Sequence, residues 1–162
     1  MDAELVCLPA RDEQIDEFLE LLRLDAEDYL TPTMEAMGWS WAEFAQRVRG
    51  VGKVFCVYQG ERKVGCYWIE ERERVLHLHG IVVGRAFQGQ GIGSRIIRRL
   101  AEEYRGRMDA IELGVHQSNR RAKALYERLG FVTVRFLPEV GFYILQLPLK
   151  AEPESDHLPV AA

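Results

Sequence analysis

The sequence predicts an α+β protein with one mixed β-sheet, and three features indicate this class. Strand-like runs follow one another between residues 53 and 83, separated only by turn residues. A strongly amphipathic segment from Ile92 to Arg105 then predicts a helix before the next strand-like run. A strand, a helix and a second strand form a right-handed crossover, so Val75 to Val83 and Ala110 to His116 should lie parallel. The expected architecture is a mixed central sheet of about seven strands flanked by about four helices.

Capping and turn residues divide the first fifty residues into one strand and a series of helical segments. Side chains that accept hydrogen bonds favour helix starts, whereas glycine and proline favour helix ends and turns. The first predicted elements are a strand from Glu4 to Leu8 and a helix capped by Asp12. A turn or short helix follows from Thr31 through Met37, and Gly38 ends it. The next helix begins with a capping box at Ser40 to Glu43, continues to about Arg49 and stops at Gly50.

The remaining residues predict strands and two further helices. The three strands before Gly84 should form an antiparallel meander, because short polar turns join them. Asn119 is expected to cap the last helix, which Gly130 ends. The predicted strands are Lys53 to Gln59, Lys63 to Glu70, Val75 to Val83, Ala110 to His116, Phe131 to Phe136 and Gly141 to Leu147. Residues 1–150 should form a single domain, followed by a disordered tail at residues 151–162.

The composition is typical of a small cytoplasmic protein. At 162 residues, 48% of them hydrophobic, the chain suits one domain that buries about two-thirds of its unfolded surface. No segment reaches the roughly 20 apolar residues of a membrane span, so no membrane partner is expected. Cys7, Cys56 and Cys66 lack the spacing of a metal site and predict reduced thiols. The cytoplasm is therefore the expected location.

Charge is distributed unevenly along the chain. Residues 1–40 contain eleven acidic residues and only two basic ones. Six arginines surround a glycine-rich loop and the helix after it: Arg85, Arg95, Arg98, Arg99, Arg105 and Arg107. An anionic half beside a cationic half suits a cationic substrate that meets an anionic ligand, although each charge taken singly can simply solvate a helix surface. Because the formal net charge is −4, nucleic acid is not an expected partner.

The most informative motif is the glycine-rich segment from Gln88 to Ser94, which joins a predicted strand to the amphipathic helix. Its three glycines leave backbone N–H groups accessible, and the positive end of a helix dipole points at the same place, as a phosphate site requires. A Walker loop is excluded because Ser94 and Arg95 stand where that motif needs Lys and then Ser or Thr. A dinucleotide fingerprint fits poorly, because Ser94 replaces its third glycine. A glycine-rich turn that binds nothing is the remaining alternative.

A second motif runs from Asn119 to Phe131, and with the loop it resembles the GNAT N-acetyltransferase superfamily. That family's Gln/Arg-x-x-Gly-x-Gly/Ala loop is met by Gln88, Gly91 and Gly93. Its Asn-x-x-Ala-x-x-Leu-Tyr-Glu-x-x-Gly-Phe segment is matched throughout the second motif. The resemblance covers most of Leu76 to Phe131 and implies the GNAT fold, in which the fourth and fifth strands splay apart.

The resemblance implies acetyl-CoA as a co-substrate and no metal. In the family, the pantetheine arm of the coenzyme pairs with main chain between the splayed strands, and the loop amides hold its pyrophosphate. Arg85, Arg95 or Arg99 would add positive charge. Asn119 would contact the arm as well as cap its helix, although capping alone also explains an asparagine there. The implied coenzyme-binding residues are Ile81, Val82, Val83, Gln88, Gly89, Gln90, Gly91, Ile92, Gly93, Ser94, Asn119, Ala122 and Tyr126.

Tyr126 follows Asn119 by two helical turns and lies on the same side of the predicted helix. In the GNAT family, which this segment resembles, the matching tyrosine is the general acid that protonates the departing thiolate of the coenzyme. A phenol, with a pKa of about 10, is protonated at neutral pH and can serve this role. The alternative is a tyrosine that only packs in the core.

An alkylamine is almost wholly protonated at neutral pH, so a base must remove a proton before it can act as a nucleophile. His77 and His79 share one face of a predicted strand, and imidazole titrates near neutral pH. The run from His77 to Val83 is also similar to the fourth strand of the arylalkylamine N-acetyltransferases, where paired histidines are implicated in amine deprotonation. The alternatives are a metal site, histidines that are hydrogen-bonded in the core, and a different base among Glu70, Glu112 and His116.

Three aromatic residues lie in the region that covers the acceptor side in this family. Trp41 falls on a helical stripe and predicts a core residue, whereas Tyr29 and Trp39 are candidate substrate-binding residues. Trp39 could stack on an aromatic or cationic acceptor. The predicted acceptor is a primary amine of a small molecule. A protein or peptide acetyltransferase acting on an N-terminus or lysine, and a non-catalytic acyl-CoA sensor, are the alternatives, and the sequence is compatible with a homodimer without requiring one.

Overall fold

The computed structural model describes residues 4–25 and 27–149, with the side chains of residues 25–29 outside the description. The predicted tail at residues 151–162 therefore lies beyond the described residues. The elements are β1 (Leu5–Pro9), α1 (Asp12–Asp25), α2 (Glu27–Met37), α3 (Trp41–Gly50), β2 (Lys53–Gln59), β3 (Arg62–Arg72), β4 (Val75–Val83), α4 (Ile92–Tyr104), β5 (Ala110–His116), α5 (Arg120–Arg128), β6 (Val132–Leu137) and β7 (Phe142–Pro148). The predicted α+β class is confirmed, with five α-helices in the described part of the chain rather than about four.

The seven strands form one sheet in the order β1-β2-β3-β4-β5-β7-β6. The antiparallel meander of β2, β3 and β4 is confirmed, and β4 runs parallel to β5 as the crossover predicted. That parallel ladder is short: only the residues from Val75 to His77 pair with β5. Beyond His77 the two strands separate, which leaves a gap in the middle of the sheet. The splayed fourth and fifth strands are therefore present.

A β-bulge at His79 changes which residues of β4 face each side of the sheet. Ile69 of β3 is opposite Leu78, but the next residue, Trp68, is opposite Gly80, so His79 has no partner in the register. Because of the bulge, the His79 side chain and the position at which Gly80 would carry a Cβ lie on the same face of the sheet. A Cβ on Gly80 would lie 3.2 Å from Phe18 Cζ in α1, while the His79 ring contacts Trp68 on that face.

The sheet separates two hydrophobic cores. The larger lies between the sheet and α4, whose buried residues Ile92, Ile96, Ile97 and Leu100 face the strands together with Phe131. The smaller lies on the opposite face, under α1 and α3, and includes Phe18, Val48 and Trp68. We call this second face the α1/α3 face. The indole N–H of Trp68 donates to the Val51 carbonyl oxygen at 2.7 Å, which ties the sheet to the end of α3.

Three predictions of helix ends are corrected. Asp12 is the first residue of α1 rather than its cap, because the Arg11 carbonyl accepts the first helical bond, from the Ile15 N–H at 3.0 Å. The Arg11 N–H donates to the Gln14 side-chain oxygen at 2.9 Å. Pro32 lies inside α2, so this helix begins well before the predicted turn. Gly50 is the last residue of α3 and not its stop.

The left-handed residue after α3 is Gly52, with a φ of 68°. A Cβ there would lie 2.1 Å from the Ile69 carbonyl oxygen, so the chain passes too close to β3 for any other residue. By contrast, the predicted capping box is confirmed, because Ser40 and Glu43 bond reciprocally to each other's backbone N–H groups.

None of the helices in the described part of the chain combines the length and the apolar run that crossing a bilayer needs.

Candidate active site

The glycine loop ends in a helix start that no side chain caps. Gly89 and Gly91 are left-handed, with φ of 79° and 76°, and Gly91 occupies the N-cap of α4 without a capping side chain. Arg95 makes the first intrahelical bond to the Gly91 carbonyl at 3.0 Å, so the N–H groups of the preceding first turn have no helical acceptor. The first turn also contains no acidic residue. A Cβ on either glycine would meet nothing within 4 Å, so the loop surface is open to a ligand.

The end of β4 offers a backbone edge beside this loop. Ile81, Val82 and Val83 pair with β3 on one side, whereas the described ladder to β5 stops at His77. The side-chain amide of Gln88 donates to the Val83 carbonyl oxygen at 3.0 Å, which connects the loop to the strand end. The sequence motif contained Gln88 but did not indicate this contact.

One candidate arginine is directed away from the loop. The Arg99 guanidinium donates to the Leu5 carbonyl oxygen of β1 at 2.7 Å, so it joins α4 to the edge strand. Arg95 lies in the first turn of α4, and Arg85 begins a single turn of 3₁₀ helix just before the loop. These two arginines lie nearer in sequence to the loop amides than Arg99 does.

The second motif forms α5 with its predicted cap. The Asn119 side-chain oxygen accepts from the Ala122 N–H at 3.2 Å, which leaves the amide donors of that side chain for other contacts. Tyr126 is half-buried two turns later, with its ring 5.7 Å from that of Phe131. Tyr126 and Asn119 thus belong to one short helix, in contact with β5 beside the gap.

The two histidines lie side by side where the sheet begins to open. Their rings are 5.7 Å apart and nearly parallel, at 16°. Both project from the α1/α3 face of β4, whereas Leu76 and Leu78 are buried in the larger core. Both imidazoles are partly accessible to solvent, because the exposed fraction of the side chain is 14% for His77 and 26% for His79.

Charged groups from the neighbouring strands surround the histidine pair. Glu70 of β3 lies 2.7 Å from Nε2 of His79 through its Oε1 atom. One guanidinium nitrogen of Arg72 lies 3.5 and 3.4 Å from the two ring nitrogens of His77. Glu112 of β5 approaches Nδ1 of His77 at 3.4 Å. We call Glu70, Arg72, His77, His79 and Glu112 the histidine cluster.

Two groups in the histidine cluster have shifted pKa values. The hydrogen bond from His79 is the main cause that lowers the pKa of Glu70, and nearby Arg72 adds to it. Burial is the main cause that lowers the pKa of His77, followed by the Arg72 guanidinium. His77 is therefore held in the neutral form, and Glu70 in the ionised form, at neutral pH.

The structure brings two of the three reserve bases to the histidines and places the third elsewhere. Glu70 and Glu112 are members of the cluster, and Glu112 also accepts from the Gln146 side chain at 2.8 Å. His116 is at the far end of β5, where its Nδ1 accepts from the Ser118 N–H at 3.2 Å. Gln146 and Arg72 are cluster contacts that sequence reasoning missed, because both depend on how strands pair.

Trp39 lines an open cavity of about 290 Å³ between α1, α2 and the start of α3, and Arg23, Met34 and Trp41 share this lining. The Arg47 guanidinium carbon lies 5.2 Å from the centre of the Trp39 ring. Trp41, predicted as core, packs against the smaller core and also borders the cavity. Tyr29 lies in α2, but its side chain is outside those that the structure describes.

Comparison with known proteins agrees with this arrangement. The model of the acetyltransferase (GNAT) family matches residues 15–131. An uncharacterised N-acetyltransferase of Methanocaldococcus jannaschii is 40% identical over 70 residues, which are 41% of this chain and 30% of that protein. The L-amino acid N-acyltransferase MnaT of Escherichia coli is 30% identical over 88 residues, which are 48% of this chain and 51% of that protein. The matched segment thus spans about half or less of each relative's length.

Solved structures share the fold at low sequence identity. The ribosomal-protein-S18-alanine N-acetyltransferase of Escherichia coli superimposes with a TM-score of 0.67 at 21% identity, covering 93% of this chain and 97% of that one. A domain from Methanocaldococcus jannaschii gives 0.73 at 17% identity, with 91% and 100% covered. The family match spans most of the chain and includes the gap, the loop and the histidine cluster. The chain therefore belongs to the GNAT acetyltransferase family.

Proposed function

We propose that this protein is an N-acetyltransferase that moves an acetyl group from acetyl-CoA to a primary amine of a small molecule in a ternary complex. The observation that carries the proposal is the uncapped, glycine-lined start of α4 beside the gap between β4 and β5, with a histidine pair at the point where the gap begins. The family implies acetyl-CoA, whose thioester supplies an activated acetyl group.

The residues fit that co-substrate in three places. The first-turn amides of α4 and the positive end of its dipole suit a pyrophosphate. Because the loop residues are glycines, no side chain keeps the pyrophosphate from these amides. The free edge of β4 from Ile81 to Val83 suits an extended chain that pairs like an added strand. Asn119 has amide donors to offer across the gap. Each contact uses main chain or a neutral side chain.

The proton transfers are assigned to residues on the two sides of the gap. One of His77 and His79 takes a proton from the ammonium group of the acceptor, which frees the lone pair on nitrogen. The nitrogen then bonds to the acetyl carbon while the carbon–sulfur bond breaks with its electron pair on sulfur. The Tyr126 hydroxyl gives a proton to that sulfur. The acylated nitrogen still carries two protons, and one of them passes to solvent, which leaves a neutral amide. Tyr126 recovers its own proton from solvent. No metal takes part in this scheme.

A small-molecule acceptor is supported by the cavity at Trp39 and by the acidic N-terminal region. The indole ring offers a stacking surface, and because Arg47 already lies against it, an aromatic group suits the cavity better than a second cation. The relative MnaT is named for L-amino acids, which also present a primary amine to the enzyme. We extend the proposal to residues 1–150 as one catalytic domain.

The test is an acceptor screen in which release of free coenzyme A thiol is followed with purified protein and acetyl-CoA. We expect turnover with free primary amines, and amino acids and arylalkylamines should both be included. Activity on peptides but not on free amines would instead identify a protein acetyltransferase. Binding of acetyl-CoA by calorimetry without turnover on any acceptor would identify a sensor.

A further inference from the structure

The histidine cluster is not symmetric, and the difference between its two imidazoles suggests which one accepts the proton. Both histidines lie on the same face, but their partners differ: the Glu70 carboxylate lies 2.7 Å from a ring nitrogen of His79, whereas His77 lies between the Arg72 guanidinium and the more distant Glu112 carboxylate, 3.4 Å away. A carboxylate stabilises an imidazolium ion, whereas a guanidinium opposes one. The inference drawn from this asymmetry rests on the proposed function, since it assumes an amine that must lose a proton.

The contact between Glu70 and His79 fixes the tautomer of the imidazole. An ionised carboxylate can only accept hydrogen bonds, so the ring nitrogen 2.7 Å away must carry a hydrogen. That nitrogen is Nε2, which leaves the lone pair of neutral His79 on Nδ1. The ring also packs against Trp68, with 4.7 Å between ring centres, so its orientation is restrained on two sides.

His77 has the opposite environment. Arg72 lies within 3.5 Å of both ring nitrogens of His77. Because a guanidinium is positively charged and has donors only, it disfavours the addition of a proton to the ring. Glu112 offsets part of this effect at 3.4 Å, but its other oxygen is already bonded to Gln146. His77 is also the less exposed of the two side chains. It is therefore the poorer proton acceptor of the pair.

We propose that Glu70 is a positioning residue that makes His79 the proton-accepting histidine, with Nδ1 as the accepting atom, while His77 stays neutral beside it. Among the side chains that the structure describes, the charged and titratable groups that face the pair are Glu70 and Arg72 from β3, the two histidines themselves from β4, and Glu112 from β5. One proton moves from the acceptor's ammonium nitrogen to Nδ1 of His79. The resulting imidazolium keeps its Nε2 hydrogen on Glu70 and later releases the extra proton to solvent.

The first test uses the free protein and needs no coenzyme. Nitrogen-15 chemical shifts of the two imidazoles should show His79 protonated on Nε2 at neutral pH, and His77 should stay neutral to a lower pH than a free imidazole. In Glu70→Gln the amide oxygen can still accept from Nε2, so the tautomer should be kept while the titration of His79 moves to lower pH. In Glu70→Ala the tautomer preference should be lost as well.

The second test is the pH dependence of kcat/KM in the same variants. Glu70→Gln should lower kcat/KM about tenfold at neutral pH and move the acid limb of the profile to lower pH by about one unit, with the KM for acetyl-CoA unchanged. His79→Gln should remove that limb and cost about a hundredfold or more, whereas His77→Gln should keep it. Glu71→Gln is the matched control, because Glu71 is the next residue of β3 but bonds to Tyr104 on the other side of the sheet.

The outcomes separate this proposal from the proposed function. If the wild-type protein turns over amines but the acid limb disappears in His77→Gln and survives in His79→Gln, the assignment of His79 is wrong. If Glu70→Gln behaves like Glu71→Gln in both the nitrogen-15 titration and the pH profile, Glu70 is not a positioning residue. If the wild type transfers no acetyl group to any amine, the proposed function fails, and the imidazole titrations of the free protein still decide the charge asymmetry of the pair.

Discussion

Replacing Gly91 with alanine tests whether the start of α4 is the coenzyme site. Gly91 is the N-cap of α4 with a φ of 76°, and a methyl group added there would meet no protein atom within 4 Å. In the free protein, the substitution therefore introduces only the conformational strain of a left-handed alanine. That strain should cost about 1 kcal/mol of unfolding free energy.

The effect on coenzyme binding should be larger than this strain suggests. A methyl group on the loop surface keeps a phosphate from approaching the amides beside it. Losing one charge-assisted hydrogen bond costs about 1.5–3 kcal/mol, which corresponds to a dissociation constant about 10 to 150 times higher. Binding of coenzyme A by Gly91→Ala should therefore weaken by at least about tenfold.

The chain provides a matched control at the other end of the same helix. Gly106 is also left-handed, with a φ of 86°, and a Cβ there would likewise meet nothing within 4 Å. Gly106→Ala should lose a similar amount of stability in urea unfolding but bind coenzyme A like the wild type in calorimetry. Equal coenzyme affinities in the two variants would show that the coenzyme does not lie against the glycine loop.

Three further predictions concern the fold and the chemistry. Gly52→Ala should lose about 2–4 kcal/mol of unfolding free energy in urea, because its Cβ would overlap the Ile69 carbonyl oxygen. Gly60 is also left-handed but lies in open space, so Gly60→Ala should lose only about 1 kcal/mol. Similar losses in the two variants would contradict the clash at Gly52. Tyr126→Phe should lower kcat about a hundredfold or more with coenzyme affinity unchanged, and an unaltered kcat would rule out the acid role. Because burial lowers the pKa of His77 from 6.5 in the folded protein, the unfolded chain takes up this proton first as the pH falls. The free energy of unfolding should therefore decrease as the pH falls from 6.5 towards the lower pKa of the folded state, and an equal decrease in His77→Gln would contradict this assignment.

The sequence was sufficient for the strands and helices that have strong local signals. The bounds of β2, β4 and β5 match the prediction, because turn residues or glycines delimit each run. The caps at Ser40 and Asn119 are also as predicted, since a capping hydrogen bond joins residues only three apart. Both motifs lie next to the sheet gap that the resemblance implied.

The interactions that depend on strand pairing could not be predicted. Glu70 is opposite His77 in the register of β3 and β4, yet its carboxylate contacts His79 on the diagonal, next to the bulge. A bulge adds one residue to one strand, and periodicity alone does not reveal where this occurs. Pro32 is a similar case, because a proline usually favours a helix start, but here it lies within α2.

The early end of the β4–β5 ladder leaves unpaired main chain of β4 inside the sheet. Open strand edges invite pairing with other molecules and hence aggregation, and in most sheets such edges lie at the outer rim. Here an additional one lies in the interior of the sheet, with β5 and β7 standing beyond it. Another protein's sheet cannot continue across that boundary, because the space past the opening is already filled. A chain that pairs with this edge of β4 therefore has to lie between β4 and β5.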